Sequence, residues 1–176
     1  MTIKKTPYLG LTILFVMLVA SIWAGYVYSG EMPNPKLTTG HARTVDVHTL
    51  CTTSTKLVRN VPAIEKKNVY MEYGLAGNHT GYCDGAGGCE VDHLISLELG
   101  GSNDIDNLWV QPYFGDCNAY QKDALENKLH ELICNGTLTI EAAQQAITDN
   151  WETAYTKYVD SLGCKPYALR LEKKLP

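Results

Sequence analysis

The chain has 176 residues, 45% of them hydrophobic, with 15 basic and 19 acidic side chains and a net charge of −4. That is long enough for one ordinary domain with appendages, and too apolar for a chain that stays disordered. The balance does not favour a nucleic-acid binder, most of which carry a basic face, and it counts against high affinity. Beyond residue 30 it falls to 13 basic against 19 acidic side chains, or −6, so any hold on phosphate must be local, from Lys56, Arg59, Lys122 or Lys128.

At the N-terminus, Lys4-Lys5 precede Tyr8 to Tyr28, 21 residues without a charge. About 20 apolar residues span a bilayer, whereas the core of a cleaved signal is usually about 7–15. Residues 1–30 are therefore expected to be a signal anchor or a signal peptide, the anchor fitting slightly better. Either leaves the lysines in the cytoplasm and carries the rest across the membrane, into the periplasm of a Gram-negative cell. Residues 31–48, with Pro33, Pro35 and Gly40, read as a linker, and 49–164 as the folded domain.

All six cysteines (51, 83, 89, 117, 134 and 164) lie beyond the apolar segment. In an exported domain an even number indicates disulfides, although six cysteines allow about 15 pairings. Cys83 and Cys89 flank the flexible run DGAGG and read as one pair. No Cys-x-x-Cys occurs, so structural zinc fits less well.

Within the domain, Pro62 opens a helix with Ile64, Val69 and Tyr73 inward, and Gly74 stops it. A Gly/Asn/Asp-rich loop covers 75–88. Val91 to Leu99 reads as an irregular strand and Leu108 to Val110 as a second, joined through GGSNDID. A helix runs from Asn118 to about Cys134, with Leu125, Leu129, Leu132 and Ile133 on one stripe and Asn135-Gly136 as its stop. Thr139 caps a last helix to about Val159, with Ala143, Ile147, Trp151, Ala154 and Tyr158 inward. Residues 165–176 form a polar tail.

The most informative stretch is Glu90 to Trp109, EVDHLISLELGGSNDIDNLW. It sets an acid beside an imidazole on a strand and an asparagine, Asn107, at the entrance to the next. A carboxylate that holds a divalent cation and an imidazole that takes a proton from water are the groups a metal-assisted phosphodiester hydrolase needs.

This stretch resembles the HNH (ββα-metal) endonuclease family, most closely from Cys89 to Pro112 and more loosely from Asn118 to Tyr158. The resemblance implies an α+β fold: a small core of two antiparallel strands and a helix around one metal, here with flanking helices and disulfides. It implies Asp92 as metal ligand, His93 as general base and Asn107 as the residue that orients the base. It also implies products ending in 5′-phosphate and 3′-hydroxyl. A backbone carbonyl is the other candidate for fixing the ring.

The helix should supply a further metal ligand. Asn118 stands at the expected place, with an N-cap as its structural alternative. His130 is the alternative metal ligand, and packing is its structural reading. Twelve residues apart on one helix, about 18 Å, the two cannot share an ion. Asp123 and Asn127 are a fallback pair. Lys122 could bind substrate phosphate or be a solvated lysine, and Glu90, on the Asp92 face of the strand, reads as a salt-bridge partner. Oxygen ligands favour Mg²⁺ or Mn²⁺. DNA is the expected partner, with RNA second and the membrane reached through the N-terminal segment. No protein partner can be deduced. The alternative is a non-catalytic, disulfide-stabilised extracytoplasmic binding module, favoured by the acidic balance.

Overall fold

A computed structural model describes residues 32–75 and 88–164. The proposed membrane segment, the polar tail and Cys83 lie outside the described residues, and among these no helix is long and apolar enough to cross a membrane.

Three short helices come first. α1 (Val47–Thr52) is capped by Asp46, whose Oδ1 accepts from the Thr49 amide at 2.9 Å, and α2 (Thr55–Val58) by Ser54. α3 (Ala63–Glu72) starts after Pro62 and stops where Gly74 turns left-handed at φ +73°. Val69 and Tyr73 are buried as expected, Tyr70 joins them, and Ile64 is exposed.

Strands β1 (Cys89–His93) and β2 (Leu108–Pro112) pair antiparallel, with Asp92 opposite Trp109 and His93 opposite Leu108. The first strand is thus shorter than the sequence suggested. Leu94 to Asn107 is a compact loop with short 3-10 turns at Leu97–Leu99 and Ile105–Asn107. Its sharp bend needs glycine twice. Gly100 sits at φ +85°, and a Cβ on Gly101 would lie 1.7 Å from the Ile95 carbonyl oxygen.

Helices α4 (Ala119–Cys134) and α5 (Ile140–Tyr158) pack on each other, and α4 also packs on the Leu97–Leu99 turn and on α1. Thr139 caps α5 as its sequence indicates. The helix bends at Asn150, whose Oδ1 accepts from the Thr153 amide and restarts the ladder. The core joins Trp109 and Val110 of β2 to Leu125, Leu129 and Ile133 of α4 and to Ile147, Trp151 and Tyr155 of α5. Tyr155 takes the buried place expected of Tyr158, which is only half-buried.

Residues 32–46 are not the free linker their prolines suggested. The buried Thr38 hydroxyl donates to the Leu108 carbonyl at 2.7 Å and is bonded to the Tyr73 hydroxyl, while the amides of Gly40 and Arg43 donate to Asp106 and Gly100. Proline there restricts the chain without detaching it, because backbone groups on both sides find partners in the loop. The architecture is α+β: a two-stranded antiparallel sheet flanked by helices.

Two disulfides close the domain. Cys51–Cys134 ties α1 to the end of α4, and Cys117–Cys164 ties the start of α4 to the segment beyond α5. Cys89 is also disulfide-bonded, and no described cysteine is free. Such pairing points to an oxidising compartment outside the cytoplasm.

Candidate active site at the end of strand β1

Successive residues of a strand face opposite sides, so Asp92 and His93 enter different surroundings. Asp92 faces α4. Its Oδ2 accepts from the Lys122 ammonium at 2.6 Å, and Lys122 donates also to the His93 carbonyl at 2.6 Å and to the Glu126 carboxylate one turn on. Lys122 is fully buried. Burial opposes its charge, but the carboxylates of Asp92 and Glu126 outweigh it and hold the ammonium above the ordinary lysine range. Burial drives the Glu126 carboxyl well up, with Lys122 pulling against it. One cation shared by two carboxylates ties α4 to the strand.

His93 turns to the loop. Its Nε2 lies 3.2 Å from the Asn103 Oδ1. The orientation of that amide follows from its other partners: Nδ2 donates to the Val58 carbonyl at 2.8 Å and Oδ1 accepts from the Asn60 amide at 3.1 Å. Asn103 therefore offers His93 an acceptor. Nε2 must carry the proton, leaving Nδ1 with the free lone pair. Burial lowers the imidazole pKa below its usual 6.5, and the nearby Asp92 only partly offsets this. At neutral pH the ring is a free base.

The side-chain hydrogen bond to the imidazole expected of Asn107 is made by Asn103. Asn107 is fully buried and does not touch the imidazole. Its Oδ1 accepts from the Ile95 amide at 2.9 Å, and its Nδ2 donates to the carbonyls of Ile95 and Ser102 at 3.0 and 2.9 Å. Its own carbonyl accepts from the Leu94 amide. Asn107 fastens the backbone just after His93 and acts on the ring only through it. Asn103 was missed because its partners are up to 45 residues away in sequence. The only local hint was a second amide in the same turn.

Asn118 is a cap. Its Oδ1 accepts from the Tyr120 amide, its Nδ2 donates to the Gly115 carbonyl, and Gln121 completes a capping box. Its amide is committed to the helix terminus. The Lys122 ammonium faces inward, held by Asp92 and Glu126, and so offers nothing to an arriving phosphate. His130 has as neighbours the Leu50 carbonyl and the Cys134 sulfur, beside the Cys51–Cys134 disulfide. His130, Cys51 and Cys134 form one cluster of potential metal ligands among the described residues, but both sulfurs are spent in the disulfide. The other cluster is His41, Asp104 and Asp106, of which His41 and Asp104 are exposed and Asp106 is half-buried. Asn127 Nδ2 donates to the Asp123 backbone carbonyl one turn back, while the Asp123 carboxylate lies in the field of Asp92.

The surroundings of Asp92 are acidic. Burial raises the Glu90 pKa. A hydrogen bond from Tyr113 offsets this in part, and the charges of Asp92 and Asp123 add to it. Asp123 is raised by burial and then by Asp92. Three carboxylates share one field there, with one oxygen of Asp92 not engaged by Lys122. Mg²⁺ typically takes one or two carboxylates and completes its shell with water and phosphate oxygens. Asp92 offers one carboxylate oxygen that Lys122 does not engage, a donor of the type a hard cation takes, but it belongs to neither group of potential metal ligands among the described residues.

Compared with family models, with curated proteins and with solved structures, the chain matches none.

Proposed function

We propose that this chain is an HNH-type endonuclease that hydrolyses phosphodiester bonds of DNA outside the cytoplasm, with His93 as general base. The observation that carries the reading is the imidazole: buried, fixed through Nε2 by Asn103, with its pKa lowered by burial and its Nδ1 left as the acceptor. The order strand, turn, strand, helix (β1, β2, α4) supports it, as does the Asp92-His93 pair on the first strand. A general base must be unprotonated at working pH and held in one orientation, and His93 meets both conditions.

In this reading His93 Nδ1 accepts a proton from the attacking water, and the Asn103 amide stabilises the imidazolium by keeping the Nε2–H bond. Asn107 holds the strand exit so that the ring does not swing. Lys122 fixes one oxygen of Asp92 and leaves the other to face the reaction. Bound Mg²⁺ or Mn²⁺ supplies charge stabilisation for the phosphorane-like transition state and the leaving oxygen.

The test uses the full-length protein with its disulfides intact, supercoiled plasmid, and Mg²⁺ or Mn²⁺. Nicking is expected, abolished by EDTA and reduced about 10²–10⁴-fold in His93→Ala. Absence of nicking by the folded wild type with either metal would sink the nuclease reading. The carboxylate-rich face around Glu90, Asp92 and Asp123 would then mark a non-catalytic binding module.

A further inference from the structure

We propose that Arg59 is the residue that takes the substrate's phosphate, a guanidinium arm carried by the segment that pins the amide bonded to the His93 imidazole. The proposal rests on the hydrolase reading above and adds to it the group that recognises the phosphodiester anion.

The placement of Arg59 follows from Asn103. Arg59 ends α2, with its amide donating to the Thr55 carbonyl at 2.9 Å. The residue before it, Val58, accepts from Asn103 Nδ2, and the residue after it, Asn60, donates to Asn103 Oδ1. The same Oδ1 accepts from His93 Nε2. Arg59 is therefore bracketed on both sides by bonds to the single amide that orients the imidazole. A segment of a four-residue helix and its exit would be a poor platform by itself. Two bonds to a half-buried side chain make it a fixed one.

The side chain is free to act. Arg59 is exposed, and its guanidinium has no hydrogen-bond or ion-pair partner among the described residues. Its charge nevertheless reaches the site, opposing protonation of both His93 and Asp123. The contrast with Lys122 is direct, since that ammonium is fully buried and shared between Asp92 and Glu126. Lys128 is paired with Glu131.

The chemistry requires such a group. An incoming phosphodiester meets Glu90, Asp92 and Asp123, all of its own sign, and a neutral imidazole. A divalent cation held by Asp92 would neutralise only part of the phosphate's charge. A planar guanidinium can take the non-bridging oxygens two at a time, which a point charge cannot. It would orient the phosphorus towards the water that His93 activates.

The test pairs binding with turnover in the full-length protein. A fluorescein-labelled DNA duplex is titrated by anisotropy, over a range of salt, into His93→Ala and into His93→Ala/Arg59→Ala. Plasmid nicking is measured for Arg59→Ala and Arg59→Lys at subsaturating DNA. We expect the double variant to bind about tenfold to hundredfold more weakly, with the salt slope reduced by about one phosphate contact. Nicking should fall by a similar factor in Arg59→Ala and recover in part in Arg59→Lys. Affinity within twofold, an unchanged salt slope and unchanged nicking would overturn the role of Arg59 while leaving His93 as the base. If the wild type neither binds nor nicks DNA, the hydrolase reading falls and Arg59 with it. Because Arg59 is exposed, unaltered unfolding midpoints are expected in both variants, which separates lost binding from lost fold.

Discussion

Asp92 and His93 are adjacent in sequence and are held by opposite means. On the Asp92 side the restraint is charge: a buried ammonium between two carboxylates, with a third bond to the His93 carbonyl. On the His93 side the restraint is a neutral amide, Asn103, pinned by two backbone groups of the α2–α3 connection. The difference suits the tasks the proposed mechanism gives the two groups. A carboxylate that must stay anionic is served by a cation that burial has not discharged. An imidazole that must gain and lose a proton is served by a partner that does not bias it strongly towards the charged form. Interchanging the two kinds of partner would spoil both groups.

The largest effect should come from removing the charge. Lys122→Met leaves Asp92 and the buried Glu126 without their cation, and breaking such a buried pair costs about 3–5 kcal/mol. Urea unfolding should show a loss of that size, and Lys122→Met/Glu126→Leu should recover much of it. Recovery fails if the cluster serves only to hold Asp92. A smaller loss, about 2–3 kcal/mol, is expected for Asn107→Ala, which strands the Ile95 amide and the carbonyls of Ile95 and Ser102 in the interior. Nicking should fall with it, since the loop carries Asn103; full activity in a destabilised variant would separate the loop from the site.

The subtlest change is on the neutral side. Burial holds the folded-state pKa of His93 below its unfolded value near 6.5. The unfolded chain therefore binds the proton more readily, and the stability contributed by neutral His93 is complete above pH 6.5 and lost as pH falls through the folded value. The acid limb of the nicking profile should accordingly lie below pH 6.5. Asn103→Asp places a carboxylate on Nε2 and should raise the His93 pKa by about 1 unit or more, moving that limb upward. The shift can be read from the His93 ring protons by NMR whether or not the variant is active. An unmoved titration would show that residue 103 does not touch the ring.

How far the sequence carried this picture can be seen residue by residue. The strand pair, the two long helices and the caps at Asn118 and Thr139 were legible because each rests on local rules, namely alternation, a 3.6-residue stripe and a polar side chain at a helix start. Asn118 was read first as a metal ligand, with the cap as its alternative, and the capping geometry is what the structure displays. Lys122 carried an unused signal. It lies three residues before Leu125 and seven before Leu129, on the apolar stripe itself, with Glu126 one turn on. A lysine there is either buried with partners or misplaced, and its partner Asp92 comes from another element. The packing of residues 32–46 and the Asn103 bonds were not legible. Both depend on contacts dozens of residues apart, and proline or a Gly-rich turn looks the same in sequence whether the backbone beside it is solvated or docked.

Helix α4 is fastened covalently at both ends, by Cys117–Cys164 at its start and Cys51–Cys134 at its finish. The bridges span 83 and 47 residues of chain, and closing loops of those lengths removes roughly 4–5 kcal/mol each of denatured-state entropy. Everything that holds Asp92 from the helix side sits between these two fasteners. The site is therefore ordered in time as well as in space. Cys117 must wait for Cys164, beyond the last helix, to be synthesised, and both pairs must then meet an oxidant. On the reading proposed above, the reduced chain would hold its candidate site on a slack frame, and nicking activity is expected to appear only once both bridges have closed.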